Sequence, residues 1–322
     1  MKIDALYMES ERKAGIREIS ISGPKPGQIQ VEVAACGVCA WDTFLFKGLD
    51  VREPFPFRFG HEAVGVVKEL GENVTAFSPS DRVFCIDGGP AMAQVINIDA
   101  ELVGLLPGRP EKAEDFIPYI GEPLVCVVAG LANLPVRPGD NVAVIGAGYM
   151  GLLNIQAYVH SLIGSLDCFD ISSDKLQLAK AYGADHCWLS NTQDGAAAAK
   201  RIVGRGGVDI AVECSGSQAG LQLAIELTRA GGTVSNFAWH RAVRTLDASA
   251  WHTRGIRIIN TAPALDRHFS DHVIPTQRLM ARGVFDQRRM ITHVMNYRRI
   301  QEMLEISETK ADGYIKGVMT FD

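Results

Sequence analysis

Cys39 and the triplet Gly60-His61-Glu62 place sulfur, imidazole and carboxylate within the first quarter of the chain. These donors suit zinc, a borderline-soft ion bound by thiolate, histidine and carboxylate, whose catalytic sites keep one position open. Near the middle, Gly146-Ala147-Gly148-Tyr149-Met150-Gly151 has the G-x-G-x-x-G spacing. In such a turn the first glycine permits a sharp reversal, the second lets a pyrophosphate approach the backbone, and the third lets helix pack on strand. The helix N-terminus that opens there suits the anion. A metal that polarises an alcohol oxygen, with a nicotinamide that accepts hydride, makes a dehydrogenase.

Asp170 ends the next strand-like run, 19 residues after Gly151. A carboxylate there can accept hydrogen bonds from the adenosine ribose hydroxyls and repels a 2′-phosphate, which favours NAD over NADP. The plainer role for Asp170 is a capping or solvated acid. Lys175, one turn further on, is carried as a cofactor-side residue, with a surface position as the simpler expectation. On the metal side, Cys36 and Cys39 are spaced C-x-x-C, but no second such pair follows, so a closed Cys₄ site has no support. Cys36 alone reads as a small buried hydrophobe. Glu122 reads equally as the first-turn acid of a helix starting near Pro123.

These residues need two kinds of framework. The first ~120 residues show short Val- and Ile-rich runs, Gln28–Ala34, Ala63–Leu70 and Arg82–Ile86, bounded by turn residues, as in a β-rich domain. From Pro138 onward, strand runs at Asn141–Ile145, Leu166–Asp170, Val208–Cys214, Gly232–Phe237 and Gly255–Asn260 alternate with helical stretches at Gly148–His160, Ser173–Tyr182 and Ser217–Arg229. That alternation predicts an α/β fold, a doubly wound parallel sheet covered by helices. A helix near 268–282, a strand at Ile291–Met295, a helix from Tyr297 and a strand near Ile315–Phe321 follow. The expected organisation is a catalytic domain over 1–122, a dinucleotide-binding domain over 123–260, and a segment over 261–322 that returns to the first domain.

Composition narrows the class. At 322 residues the chain suits two domains. A formal net charge of −5 offers no basic field for nucleic acid. No apolar run approaches the ~18–20 residues of a membrane helix, and residues 1–10 lack the order of a signal peptide. Seven cysteines, an odd and scattered number, do not describe a disulfide framework. A reduced, cytoplasmic protein is expected.

Cys36-Gly37-Val38-Cys39-Ala40-Trp41-Asp42, Phe59-Gly60-His61-Glu62-Ala63-Val64-Gly65 and Asp81-Arg82-Val83 resemble the zinc-type medium-chain dehydrogenases/reductases. Glu122-Pro123-Leu124, the glycine turn and Ile291-Thr292-His293 follow in the family's order, so the likeness spans nearly the whole chain. Within the family it is similar to the sorbitol, polyol and threonine dehydrogenase branch. The resemblance implies a barrel-like, GroES-like catalytic domain beside a Rossmann domain, with a cleft between them. It also implies catalysis through Cys39, His61 and Glu62. Zinc would be held by Cys39, His61 and either Glu62 or Glu122. Ser215, Phe237 and Ala238 would face the cofactor, and the subunits would form a homodimer or homotetramer through a sheet edge near Arg254–Asn260.

Two departures from the family pattern matter. The stretch Phe84-Cys85-Ile86-Asp87-Gly88-Gly89-Pro90 has one cysteine where many members carry a four-cysteine structural lobe, so one zinc per chain is expected. Trp41 and Phe44 stand where members usually have a hydroxyl residue and a histidine that carry the substrate proton outward. Indole N–H donates but does not relay a proton. Proton transfer then falls to Thr43, an acid such as Glu62, or water. The substrate class implied is polyhydroxylated: a sugar alcohol, a sugar or a cyclitol. His240, Arg241, His252 and Arg254 are each expected as solvated side chains. A metal-free quinone or enone reductase and a silent nucleotide-binding protein are the alternatives.

Overall fold

The computed structural model describes residues 1–49, 53–86, 89–261 and 268–322. The first strands and helices are β1 (Lys2–Ser10), β2 (Lys13–Ser20), β3 (Gln28–Val38), α1 (Ala40–Phe46), β4 (Phe57–Arg58), β5 (Glu62–Leu70), β6 (Arg82–Cys85), β7 (Val95–Asp99), β8 (Val103–Leu105), α2 (Ala113–Phe116) and α3 (Glu122–Ala132). Then come β9 (Asn141–Ile145), α4 (Tyr149–Val159), β10 (Ser165–Asp170), α5 (Ser173–Ala181), β11 (His186–Leu189), α6 (Gln193–Gly204), β12 (Val208–Glu213), α7 (Gln218–Leu227), β13 (Thr228–Asn236), α8 (Ala248–Arg254) and β14 (Arg257–Asn260). The chain closes with α9 (Val273–Ala281), β15 (Ile291–Asn296), α10 (Ile300–Thr309) and β16 (Lys316–Thr320).

Contacts divide the chain into two compact units, one of Met1–Val125 with Ser270–Asp322, the other of Cys126–Phe269. In the first, a sheet runs β15-β16-β3-β5-β6-β8, with β7 also on β3, beside a smaller sheet β2-β1-β4. Inward-facing Ile29, Val31, Val33 and Cys36 of β3 join Leu6, Met8 and Phe46 in its core, with Tyr297, Met303 and Leu304 from the C-terminal segment. The first half of β3 alternates Gln28, Gln30 and Glu32 with inward Ile29, Val31 and Val33, the pattern of an antiparallel strand with one face on the core.

The second unit is a six-stranded sheet ordered β11-β10-β9-β12-β13-β14, with every neighbouring pair parallel. This is the doubly wound order, in which successive strands are added outward on one side of β9 and then, from β12, on the other. Val142–Val144 are fully buried because helices cover both sheet faces. The expected fold class holds in both units. Contrary to the expectation that no apolar run reaches that length, the stretch Ala113–Ala132 is apolar and long enough to cross a membrane by composition, but it is mostly buried inside the protein, as a core helix is.

The structure adds to and trims the expected elements. The β1–β2 hairpin and β11 are additions, and the helix-favouring run at Ala196–Ala199 lies within α6. The helix expected over Ser217–Arg229 stops at Leu227, because Thr228 turns extended and opens β13 while its hydroxyl donates to the Ala224 carbonyl at 2.7 Å. The helix expected near 268–282 begins as a short 3₁₀ turn, Phe269–His272, before α9.

Candidate metal and nucleotide sites

Cys39 leaves the end of β3 and caps α1. Its backbone N–H donates to Asp42 Oδ2 at 2.8 Å, which holds the first helical turn against the cysteine. Gly60 has φ +87°, a left-handed conformation that glycine adopts without penalty, and it turns the chain so that His61 precedes β5. Glu62 then opens β5, directly opposite Gly37 of β3. The ligand atoms of Cys39, His61 and Glu62 all lie within 4.8 Å of one another, the one such group of three or more among the described residues.

The surroundings suit a cation. Burial opposes a charged His61, but its hydrogen bond and charge interaction with Cys39, and the charges of Glu122 and Asp42, outweigh that and hold its pKa well above 6.5. An imidazole raised in this way sits in a negative field. Asp42 is fully buried, and its Oδ1 has no hydrogen-bond partner. Thiolate, imidazole and carboxylate form a donor set that fits zinc. Glu122, first residue of α3, acts electrostatically on His61 but is not among the three convergent ligands. Cys36 is fully buried, and burial pushes its thiol well up, as for an inert core cysteine.

Thr43 is turned elsewhere. Its hydroxyl lies 2.7 Å from Ser307 Oγ of α10 and 3.4 Å from the Cys39 carbonyl, and the residue is buried. Both bonds lie within the first unit. Trp41 packs against the edge of the apolar core.

Sequence reasoning missed one residue at this site. Lys316, from β16, donates through Nζ to Glu62 Oε2, and both side chains are almost wholly buried. They meet over Gly37, where an added Cβ would lie 1.9 Å from Glu62 Oε2 and 3.1 Å from Lys316 Cε. A lysine opening a short strand run whose other residues are Gly, Val, Met and Thr was the available signal.

In the second unit the glycine turn follows β9 and opens α4 at Gly148. Gly146 has φ +99°. A Cβ on Gly151 would fall 1.8 Å from the Gly146 carbonyl oxygen, whereas one on Gly148 would meet nothing within 4 Å. The turn is therefore closed behind and open in front of the helix N-terminus, a cradle that fits a pyrophosphate. Asp170 accepts the Ala147 N–H at 2.6 Å through Oδ2 and the Ser172 N–H at 2.8 Å through Oδ1. A carboxylate has about four lone-pair sites, so these bonds leave capacity for ribose hydroxyls.

Tyr149 is buried, Met150 and Lys175 are half-buried, and Ser215 is exposed beyond β12. The Phe237 ring lies inside the unit against Gly130, where a Cβ would come 2.9 Å from it. Phe237 and Ala238 both donate their N–H groups to the Glu213 carbonyl, at 3.1 and 2.8 Å. Two residues expected as solvated are engaged instead. His240 is bonded to Glu213 at 2.8 Å, and Arg254 donates to the Ile225 and Thr228 carbonyls at 2.8 and 3.1 Å, at the end of α7. A cation there complements the negative end of the helix. The Asp87 and Gly88 of the expected lobe deletion lie outside the described residues.

Comparison with known proteins agrees with this architecture. Residues 25–108 match the alcohol dehydrogenase GroES-like domain, and residues 136–271 match the zinc-binding dehydrogenase family. The S-(hydroxymethyl)glutathione dehydrogenase of Escherichia coli O1:K1 is 26% identical over 67% of this chain and 72% of its own length. An Escherichia coli oxidoreductase/dehydrogenase of unknown specificity involved in membrane biogenesis shares the fold, with a TM-score of 0.88 at 21% identity over all of both chains. So does galactitol-1-phosphate dehydrogenase from Escherichia coli, with a TM-score of 0.84 at 19% identity over 99% of this chain and 100% of its own. With both domain signatures present in order and the shared fold running end to end, the chain belongs to the zinc-type medium-chain dehydrogenases/reductases, oxidoreductases of the alcohol dehydrogenase superfamily.

Proposed function

We propose that the chain is an NAD-dependent dehydrogenase with one zinc, interconverting a secondary alcohol and a ketone. The observation that carries this reading is the convergence of Cys39, His61 and Glu62 within 4.8 Å, in a chain that also holds a glycine turn backed by Asp170. When bound, zinc supplies a Lewis acid for the alcohol oxygen and NAD supplies the hydride acceptor.

The chain's residues do the rest. Cys39, His61 and Glu62 hold the metal, and Glu122 adds negative charge beside His61 or takes the place of Glu62. Asp42 fixes the Cys39 turn. Lys316 balances the charge of Glu62, which keeps this buried carboxylate in place. The candidates for carrying the alcohol proton outward are the Thr43 hydroxyl, which is hydrogen-bonded to Ser307, an acid such as Glu62, or water. Gly146, Gly148 and Gly151 shape the pyrophosphate cradle, and Asp170 takes the ribose hydroxyls.

A polyhydroxylated substrate rests on the branch likeness and on the name of one neighbour in fold, galactitol-1-phosphate dehydrogenase. Edge strand β14 is the surface for pairing two subunits. A silent nucleotide-binding protein is the alternative, favoured by Trp41 where the family usually carries a hydroxyl residue.

The deciding experiment is elemental analysis of purified protein beside a Cys39→Ser variant, then NAD⁺ reduction across polyols, sugars and cyclitols. About one zinc per chain, lost in the variant, with turnover on at least one alcohol, supports the reading. Absence of zinc from carefully prepared wild-type protein rejects it.

A further inference from the structure

The second unit contains a closed polar ring that the proposed chemistry leaves unused. Glu213 ends β12 with its side chain fully buried. Its Oε1 accepts the Ser215 N–H at 2.8 Å, the Ser215 hydroxyl at 2.5 Å and the Gly216 N–H at 3.1 Å. Its Oε2 faces His240 Nε2 at 2.8 Å. A carboxylate accepts only, so this imidazole nitrogen carries the hydrogen. His240 Nδ1, 3.0 Å from Arg244 Nε, is then the acceptor for the guanidinium. Arg244 Nη2 donates to the Gly216 carbonyl at 2.5 Å and closes the ring. Glu213 thus ties the loop after β12 to the loop after β13, with the His240 side chain only 9% exposed between them.

The loop held in this way is a wall of the glycine turn. A Cβ on Gly146 would stand 2.8 Å from the Ser215 nitrogen and 2.9 Å from its Cα. The Cys214 N–H donates to the Ile145 carbonyl, immediately before the turn, at 2.8 Å. No slack separates the Ser215 peptide from the turn, so movement of one displaces the other; packed interiors transmit strain in this way. Of the side chains that bond to Glu213, His240 alone comes from another loop. It is also the acceptor that orients Arg244.

We infer that His240 is a positioning residue for dinucleotide binding: clamped between Glu213 and Arg244, it holds the Ser215–Gly216 peptide against the glycine turn in the shape that takes the cofactor. The inference rests on the proposal that this turn binds NAD.

The test is calorimetric titration of the zinc-loaded full chain with NADH. Wild type, His240→Ala, His240→Gln and Arg244→Ala are compared at a temperature where circular dichroism shows each folded. A residue that only stabilises the fold lowers the melting temperature and leaves the Kd of the folded protein alone. A positioning residue raises the Kd itself. His240→Ala is expected to weaken NADH about tenfold, because binding must then restore the order that the Glu213–His240 bond had supplied to the loop. Glutamine carries both a donor and an acceptor, and His240→Gln should recover most of that loss. Arg244→Ala, which removes one side of the clamp, should weaken NADH about threefold.

A folded His240→Ala protein with wild-type Kd overturns the inference. If His240→Ala does not fold, wild-type affinity in Arg244→Ala overturns it instead. Failure of wild type to bind either NADH or NADPH would reject the nucleotide reading itself, an outcome seen before any variant is compared.

Discussion

Lys316 and Glu62 stand on β16 and β5, the two strands that flank β3, and their charged ends meet over Gly37 in a nearly water-free interior. Removing one member of such a pair leaves the other charge buried and uncompensated, at a cost of about 3–5 kcal/mol. Lys316→Met should therefore lower the stability of the metal-free protein by about 3 kcal/mol in denaturant unfolding. The double variant Lys316→Met/Glu62→Gln should regain most of it. A single variant as stable as wild type would mean that the pair carries no such energy.

Gly37→Ala tests the same corner without changing any charge. The new Cβ would come 1.9 Å from Glu62 Oε2, so the carboxylate has to leave its place beside Cys39 and His61. Zinc affinity should drop roughly tenfold or more, as when an outer contact of a metal ligand is lost. Competition against a chelator measures it, and unchanged affinity would show that Glu62 is not needed to hold the ion.

With His61 as a proposed zinc ligand, acid and zinc should compete for its ring. Burial alone would depress its pKa, but the bond to Cys39 and the charges of Cys39, Glu122 and Asp42 raise it well above 6.5. A raised folded-state value means that the protonated imidazole stabilises the metal-free fold. That contribution is complete below about pH 6.5 and is lost as the pH climbs through the folded value. Zinc requires the neutral ring, so its binding releases a proton and strengthens with rising pH. Chelator competition at pH 6, 7 and 8 should show steadily tighter zinc, and a flat series would contradict this assignment.

Asp170 should set the choice between the two nicotinamide dinucleotides. Asp170→Ala removes the acceptor for the Ala147 and Ser172 N–H groups and the negative charge that opposes a 2′-phosphate. NADH binding should weaken about tenfold while NADPH binding improves, which parallel titrations would reveal. An unchanged preference would move ribose recognition elsewhere.

Gly151→Ala probes the turn directly. Its Cβ would fall 1.8 Å from the Gly146 carbonyl oxygen, backbone that has no room to yield. We expect about 1–3 kcal/mol of destabilisation with loss of NADH affinity, whereas Gly148→Ala, with open space before it, should fold normally and lose affinity only. Equal melting temperatures for wild type and Gly151→Ala would remove the close-packing role.

Local pattern alone determined much of this protein. The β9 run Asn141–Ile145, the glycine turn and the helix behind it are written in consecutive residues, because strand burial, φ > 0 and helix capping act over a few positions. Cys39, His61 and Glu62 were legible for the same reason: donor type and short spacing constrain metal chemistry. Only the tertiary structure decided what completes each site. Lys316 lies 254 residues from Glu62, and the two meet because β16 and β5 pair with the same central strand. His240 meets Glu213 because adjacent parallel strands bring their C-terminal loops together. Thr43, chosen from sequence for its hydroxyl, is bonded instead to Ser307 on a helix 264 residues away. A side chain's partner is set by strand order and helix packing, and those depend on the whole chain's burial of apolar surface rather than on any residue's neighbours in sequence.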